Sequence, residues 1–89
     1  MTRIIKPLSV FERRLVKFLK SHPEMEGDVI RILFLLKKDI NTPSLKTHKL
    51  HGNMSRSYAC NINYQYRIVF SIDDKYIYLE TIGTHNEVY

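Results

Sequence analysis

Tyr66-Arg67-Ile68-Val69-Phe70-Ser71-Ile72-Asp73-Asp74-Lys75-Tyr76-Ile77-Tyr78-Leu79-Glu80-Thr81 decides the fold. Tyr66, Ile68 and Phe70 alternate with Arg67, Val69 and Ser71. Beyond Asp73-Asp74, Ile77, Leu79 and Thr81 alternate with Tyr76, Tyr78 and Glu80. A period of two in β-branched and aromatic residues is the pattern of a half-buried strand, and the paired aspartates mark a turn. Just upstream, Tyr58, Cys60 and Ile62 alternate with Ala59, Asn61 and Asn63, which extends the hairpin to a three-stranded meander. Register fixes the face each side chain takes. With Cys60, Ile62, Ile68, Phe70, Ile77 and Leu79 turned to a core, Asn61, Asn63, Arg67, Val69, Tyr78 and Glu80 look the other way. The second hairpin is expected to set Arg67 directly opposite Glu80. That pair is either a cross-strand ion pair or a guanidinium held by a carboxylate and aimed at a phosphate.

Outward from the meander, the first half of the chain changes to helical periodicity. Leu8, Phe11, Leu15, Phe18 and Leu19 recur at helical spacing, while Glu12, Arg13, Arg14, Lys17 and Lys20 fall on the other side. Ser9-Val10-Phe11-Glu12 has the spacing of a capping box. Ser21-His22-Pro23-Glu24 signals a second start, with proline suited to a first turn and glutamate to the positive end of the helix dipole. Met25, Val29, Ile32, Leu33, Leu36 and Ile40 mark the second buried stripe, widened by Ile30 and Phe34, and Lys37 and Lys38 close the helix. A tight turn between the two predicts a helical hairpin packed on something flat. His22 carries no role in this reading. Arg3 to Lys6 reads as a short strand stopped by Pro7.

The 89 residues suffice for one hydrophobic core and no more, so residues 1–89 are expected to be a single domain. No run approaches a membrane span, the N-terminus lacks the apolar segment of a secretory signal, and a lone cysteine, Cys60, suits a reducing compartment. A cytoplasmic protein is expected. The formal charge is +5, and residues 40–72 contain no Asp or Glu while holding Lys46, Lys49, Arg56, Arg67, His48 and His51. A third of the chain without an acid attracts phosphates and repels none, which points to a nucleic-acid surface.

Two further stretches carry chemistry. Leu45-Lys46-Thr47-His48-Lys49-Leu50-His51-Gly52 puts two histidines and two lysines within six residues, and Ile82-Gly83-Thr84-His85-Asn86-Glu87-Val88-Tyr89 places a histidine just past a strand end. Histidine titrates near neutral pH and moves protons under cellular conditions. Strict alternation sets His48 on the face of apolar Leu50, so a functional His48 calls for a bulge, a strand end or an irregular segment there. Phosphate loops, nucleophile elbows, paired carboxylates and zinc-ligand spacing are all missing. What remains, His48, Lys49, His51, Arg67, His85 and Tyr89, suits RNA cleavage without a metal or other cofactor. A base takes the proton of a 2′-hydroxyl, cations stabilise the phosphorane, and an acid protonates the departing 5′-oxygen.

The order of elements, together with the 45–52 stretch, Tyr58-Ala59-Cys60, Tyr66-Arg67-Ile68-Val69-Phe70 and the 82–89 stretch, resembles the RelE/StbE toxin superfamily of type II toxin–antitoxin systems, most closely its YafQ-like branch. The resemblance implies an α+β, RelE-like fold: an N-terminal helical hairpin on one face of a mostly antiparallel four- to five-stranded sheet. It also implies cleavage of mRNA in the ribosomal A site by a toxin held inactive by a cognate antitoxin. His48 and His85 match the two acid/base positions, Tyr89 the aromatic that stacks on or orients a base, and Arg67 the arginine at the phosphate. Lys46, Lys49, His51, Arg56 and Asn61 are the expected RNA contacts. The chain departs from the YafQ pattern at Asn61 and Gln65, which replace a histidine and an aspartate. The superfamily also contains ParE-like members that bind DNA gyrase and cut no RNA, which supplies the alternative reading of a binding module.

Overall fold

The computed structural model describes residues 2–52 and 56–88. Five strands form one sheet: β1 (Ile4–Pro7), β2 (His48–Lys49), β3 (Tyr58–Asn61), β4 (Tyr66–Ile72) and β5 (Tyr76–Thr84). Their order is β1-β5-β4-β3-β2. The meander is therefore present as read, with β4 at the centre, and every pairing but one is antiparallel. The exception is β1, which lies parallel to β5 from Ile4↔Tyr76 to Pro7↔Leu79. Pro7 ends the strand without breaking the edge, because an edge residue can spare its amide hydrogen.

Two helices, α1 (Ser9–Ser21) and α2 (Glu26–Lys38), are joined through a 3₁₀ turn at Pro23–Met25 and lie on one face of the sheet. Phe11, Phe18, Met25, Val29, Ile32 and Leu36 from the helical half meet Cys60, Ile62, Ile68, Phe70, Ile77, Leu79 and Ile82 from the sheet. Burial pushes the Cys60 thiol up to about 12, so it stays protonated and packs as a small apolar side chain.

Three readings of the helical half need correction. The capping box at Ser9 does not form: the N-cap is Leu8, in extended conformation with no side-chain cap, because its amide still donates to the Leu79 carbonyl at 3.0 Å. The pull of the sheet starts the helix one residue early. Proline and glutamate at 23 and 24 open the 3₁₀ turn, and the α-helix follows from Glu26. Ile30 and Phe34 do not widen the buried face; they are 61% and 63% exposed, and the Lys38 ammonium lies 5.8 Å from the Phe34 ring centroid. A helix resting on a sheet buries a narrower stripe than one inside a bundle.

The face of the sheet away from the helices carries its own small cluster, Leu50, Ala59, Val69 and Val88. Val88 comes from a last short helix, α3 (His85–Val88), which follows β5. Among the described residues no helix is long and apolar enough to cross a membrane.

Candidate active site

Arg67 sits on β4, on the face turned away from the helices, between Asn61 of β3 and Gly83 of β5. The expected partner, Glu80, is not there. A bulge between Val69 and Phe70 pairs Val69 with Thr81 and Phe70 with Leu79, which leaves Glu80 out of the ladder, and its carboxylate accepts from the Ser57 hydroxyl at 2.7 Å. One extra residue moves the whole register beyond it. Arg67 thus faces a glycine with no side chain, and among the described residues no carboxylate pairs with it. Among the described residues its one hydrogen bond is long, 3.5 Å from Nη1 to the Tyr64 carbonyl. Beside it the Asn61 side-chain oxygen is buried and unpartnered. A half-buried guanidinium without a counter-ion among the described residues, next to an amide with spare capacity, is a place that favours an anion.

His48 opens β2 and pairs with Ala59, so it shares Arg67's face of the sheet. Two strand spacings and two strand steps separate the Cα atoms of His48 and Arg67 by about 12 Å, within reach of two long side chains working on one substrate. Just before it, Lys46 adopts a left-handed conformation, φ 50°, and its carbonyl lies 3.0 Å from His48 Nδ1. A carbonyl only accepts, so Nδ1 holds the proton and, in the neutral ring, Nε2 carries the lone pair. Leu50 does lie on the same face, and His48 stands at a strand end, one of the arrangements expected for it. That face has an apolar cluster of its own, which Leu50 joins.

His85 is the first residue of α3. Its position is set by a capping box that sequence reasoning missed, although Thr84-His85-Asn86-Glu87 has the required spacing. The Thr84 amide donates to Glu87 Oε1 at 2.8 Å, and the Glu87 amide to Thr84 Oγ1 at 3.3 Å. Those bonds to Thr84, with Arg14 and Lys17 nearby, hold the Glu87 carboxyl below its ordinary range. Gly83 makes the fold-back possible: a Cβ there would lie 3.1 Å from the Glu87 Cβ and 3.4 Å from Val88 Cγ1. Val88 then packs with Leu50, Ala59 and Val69. Leu50 follows His48 by two residues and Val88 follows His85 by three, so this small cluster ties together the segments that carry both histidines.

The remaining expected contacts divide. Lys46, His51 and Arg56 are exposed along the β2 edge and the loop beyond it. Lys49 is also exposed, but it follows His48 in the strand and starts from the opposite face. Gln65, at one place where the chain departs from the YafQ pattern, is exposed in the β3–β4 turn. Tyr89 lies outside the described residues. The half of the sheet made by β2, β3 and β4 falls within the acid-free stretch, whereas Asp73, Asp74, Glu80 and Glu87 all lie in or beside β5. Among the described residues no three His, Cys, Asp or Glu side chains gather as metal ligands.

Comparison with known proteins agrees with this architecture. The chain is similar in structure to YafQ from E. coli, with a TM-score of 0.84 at 18% identity over 98% of each chain. It is also similar to a chain of the E. coli DinJ–YafQ toxin–antitoxin complex, with a TM-score of 0.80 at 18% identity over 100% of this chain and 99% of that one. A chain of the RelBE2 toxin–antitoxin complex of Mycobacterium tuberculosis gives 0.76 at 15% identity over 96% and 100%. At these identities the likeness speaks for the fold, which is the RelE-like α+β arrangement expected from the sequence. No curated protein matches the chain in sequence. A family model does match: residues 3–89 fit the one described as the bacterial toxin of type II toxin–antitoxin systems, YafQ. The sheet that carries Arg67 and His48, continued by the helix that starts at His85 and backed by a helical hairpin, thus belongs to a member of the YafQ family of bacterial toxins.

Proposed function

We propose that the protein is a ribosome-dependent mRNA endoribonuclease and the toxin of a type II toxin–antitoxin pair. The observation that carries this reading is Arg67: a half-buried guanidinium without a carboxylate partner among the described residues, on a sheet face whose β2–β4 half has no acid. Such a group stabilises charge that builds on a phosphate, since its fixed donors grip two oxygens at once. His48 and His85 act as the proton-transfer pair. One takes the 2′-hydroxyl proton, the 2′-oxygen attacks phosphorus, the bond to the 5′-oxygen breaks, and the other histidine protonates the leaving oxygen. The products are a 2′,3′-cyclic phosphate and a 5′-hydroxyl, and no metal ion takes part. Tyr89 stacks on or orients a base, while Lys46, Lys49, His51, Arg56 and Asn61 hold the strand. Action on translated mRNA places the protein in the cytoplasm, and a cognate antitoxin restrains it, as DinJ accompanies YafQ in its complex.

Asn61 and Gln65 favour a second reading. Neither transfers protons at neutral pH, which is what a degenerate toxin that acts by binding, or a ParE-like gyrase inhibitor, would show. Primer extension on translated mRNA separates the two. Cleavage by the wild type, lost in His85→Ala and Arg67→Ala, supports the nuclease. Equal cleavage by wild type and variants defeats the site assignment, and gyrase inhibition in a supercoiling assay without RNA cleavage selects the binding module.

A further inference from the structure

A cavity of about 460 Å³ lies away from the Arg67 face. It lies on the helix side at the ends of β4 and β5, a volume in the range of small-molecule sites. Arg14 and Lys17 of α1, His22 beyond it, Tyr66 of β4, Thr84 of β5 and Glu87 of α3 line it. His22 Nε2 and the Tyr66 hydroxyl are 3.1 Å apart, and Phe18, His22 and Tyr66 pack ring against ring with centroids 4.9 to 5.1 Å apart. The packing fixes the imidazole and the phenol as a rigid wall. On the other side the Arg14 guanidinium donates once, to Thr81 Oγ1 at 2.8 Å, and keeps further donors.

We propose that this cavity is a second phosphate-binding subsite, which takes the phosphodiester next to the one cleaved at Arg67. The proposal rests on the nuclease reading for its source of phosphate, and on the cavity itself for its chemistry. Two cations, an imidazole and three hydroxyls, those of Ser21, Tyr66 and Thr84, line one space. Its one carboxylate, Glu87, is held by the Thr84 amide, and Glu24 lies outside the lining, 3.6 Å from His22 Nδ1. Charge therefore favours an anion, and hydroxyls supply the neutral donors that phosphate oxygens accept. Position supplies the link to the open face. Tyr66 pairs with Thr84 and Arg67 pairs with Gly83, so the two anion sites occupy consecutive rungs of the ladder and point to opposite faces. A single strand of RNA turning around this end of the sheet meets both. His85, next to Thr84, sits where the strand turns.

Nuclear magnetic resonance titration tests this without a ribosome. Inorganic phosphate, and then the dinucleotide ApA with its one phosphodiester, should shift the His22 ring and Tyr66 signals saturably. Arg14→Gln with Lys17→Gln should weaken phosphate binding, read at His22, about tenfold or more, and Tyr66→Phe should weaken it less. In the ribosome assay the double variant should demand more substrate for the same limiting rate. Unmoved His22 and Tyr66 signals with either probe, or equal affinity in the double variant, overturn the proposal. Response to an acidic peptide alone also overturns it and makes the cavity a site for protein carboxylates. Phosphate affinity at His22 without any mRNA cleavage leaves the subsite standing and defeats the nuclease reading instead.

Discussion

The two faces of the sheet are built to different standards. Toward the helices, fourteen buried residues from the helical half and the sheet half form one cluster. On the other side, among the described residues, Leu50, Ala59, Val69 and Val88 form a small apolar cluster. The first face holds the fold, and the second holds the segments that carry His48 and His85. A thin support is enough for positioning and contributes little to global stability, so the two faces should answer mutation differently.

Neighbours on β4 make the sharpest comparison, because Val69 and Phe70 are both fully buried and point to opposite faces. Phe70→Ala should cost about 3–5 kcal/mol, read by denaturant unfolding, and leave a small protein largely unfolded at modest temperature. Arg67→Ala should lower mRNA cleavage about 10²- to 10³-fold with an unchanged unfolding midpoint, since it removes charge stabilisation and no core contact. A comparable loss of stability would break the division between the faces. Val69→Ala should cost about 2 kcal/mol, but reduce cleavage more than that figure implies, by loosening the contact between Leu50 and Val88. Gly83→Ala should cost about 1 kcal/mol, because the added methyl meets the Glu87 Cβ and α3 can lift away. Its signature is a moved His85 resonance in an otherwise native spectrum.

The smallest effect concerns Glu87. Its carboxyl is held below the ordinary value of 4.5, so the folded state binds its proton less readily than the unfolded chain does. The stabilisation is present above the unfolded value and is lost as pH falls through the folded one. Because the group is exposed and screened, a few tenths of a kcal/mol are expected, visible as local loosening of α3 signals in acid. Glu87→Gln keeps the capping geometry and should abolish that acid response; its persistence would assign the loosening to another group.

Much of this was legible without coordinates. Period-two alternation marked the meander, 3.6-residue spacing marked both helices, and local chemistry picked out His48, Arg67 and His85. Each depends on residues close in the chain, where periodicity maps directly onto a face. Apolar periodicity was less reliable at Ile30 and Phe34, since a pattern shows which residues share a side and not how much of that side a flat sheet covers. The box at Ser9 failed and the one at Thr84 formed for a related reason: the glutamate needs the N-cap's own amide, and that of Leu8 goes to the Leu79 carbonyl while that of Thr84 goes to Glu87.

The amino-acid sequence by itself determined the elements, their order, the acid-free half of the sheet and the histidines and arginine proposed to act there. Tertiary structure decided which of them meet. A single-residue bulge at Glu80 took away Arg67's expected counter-ion, and the fold-back at Gly83 brought Val88 onto Leu50. The chain also closed around His22 and Tyr66, forty-four positions apart. Register shifts and long-range packing depend on the summed fit of whole strands and helices, which no local motif encodes.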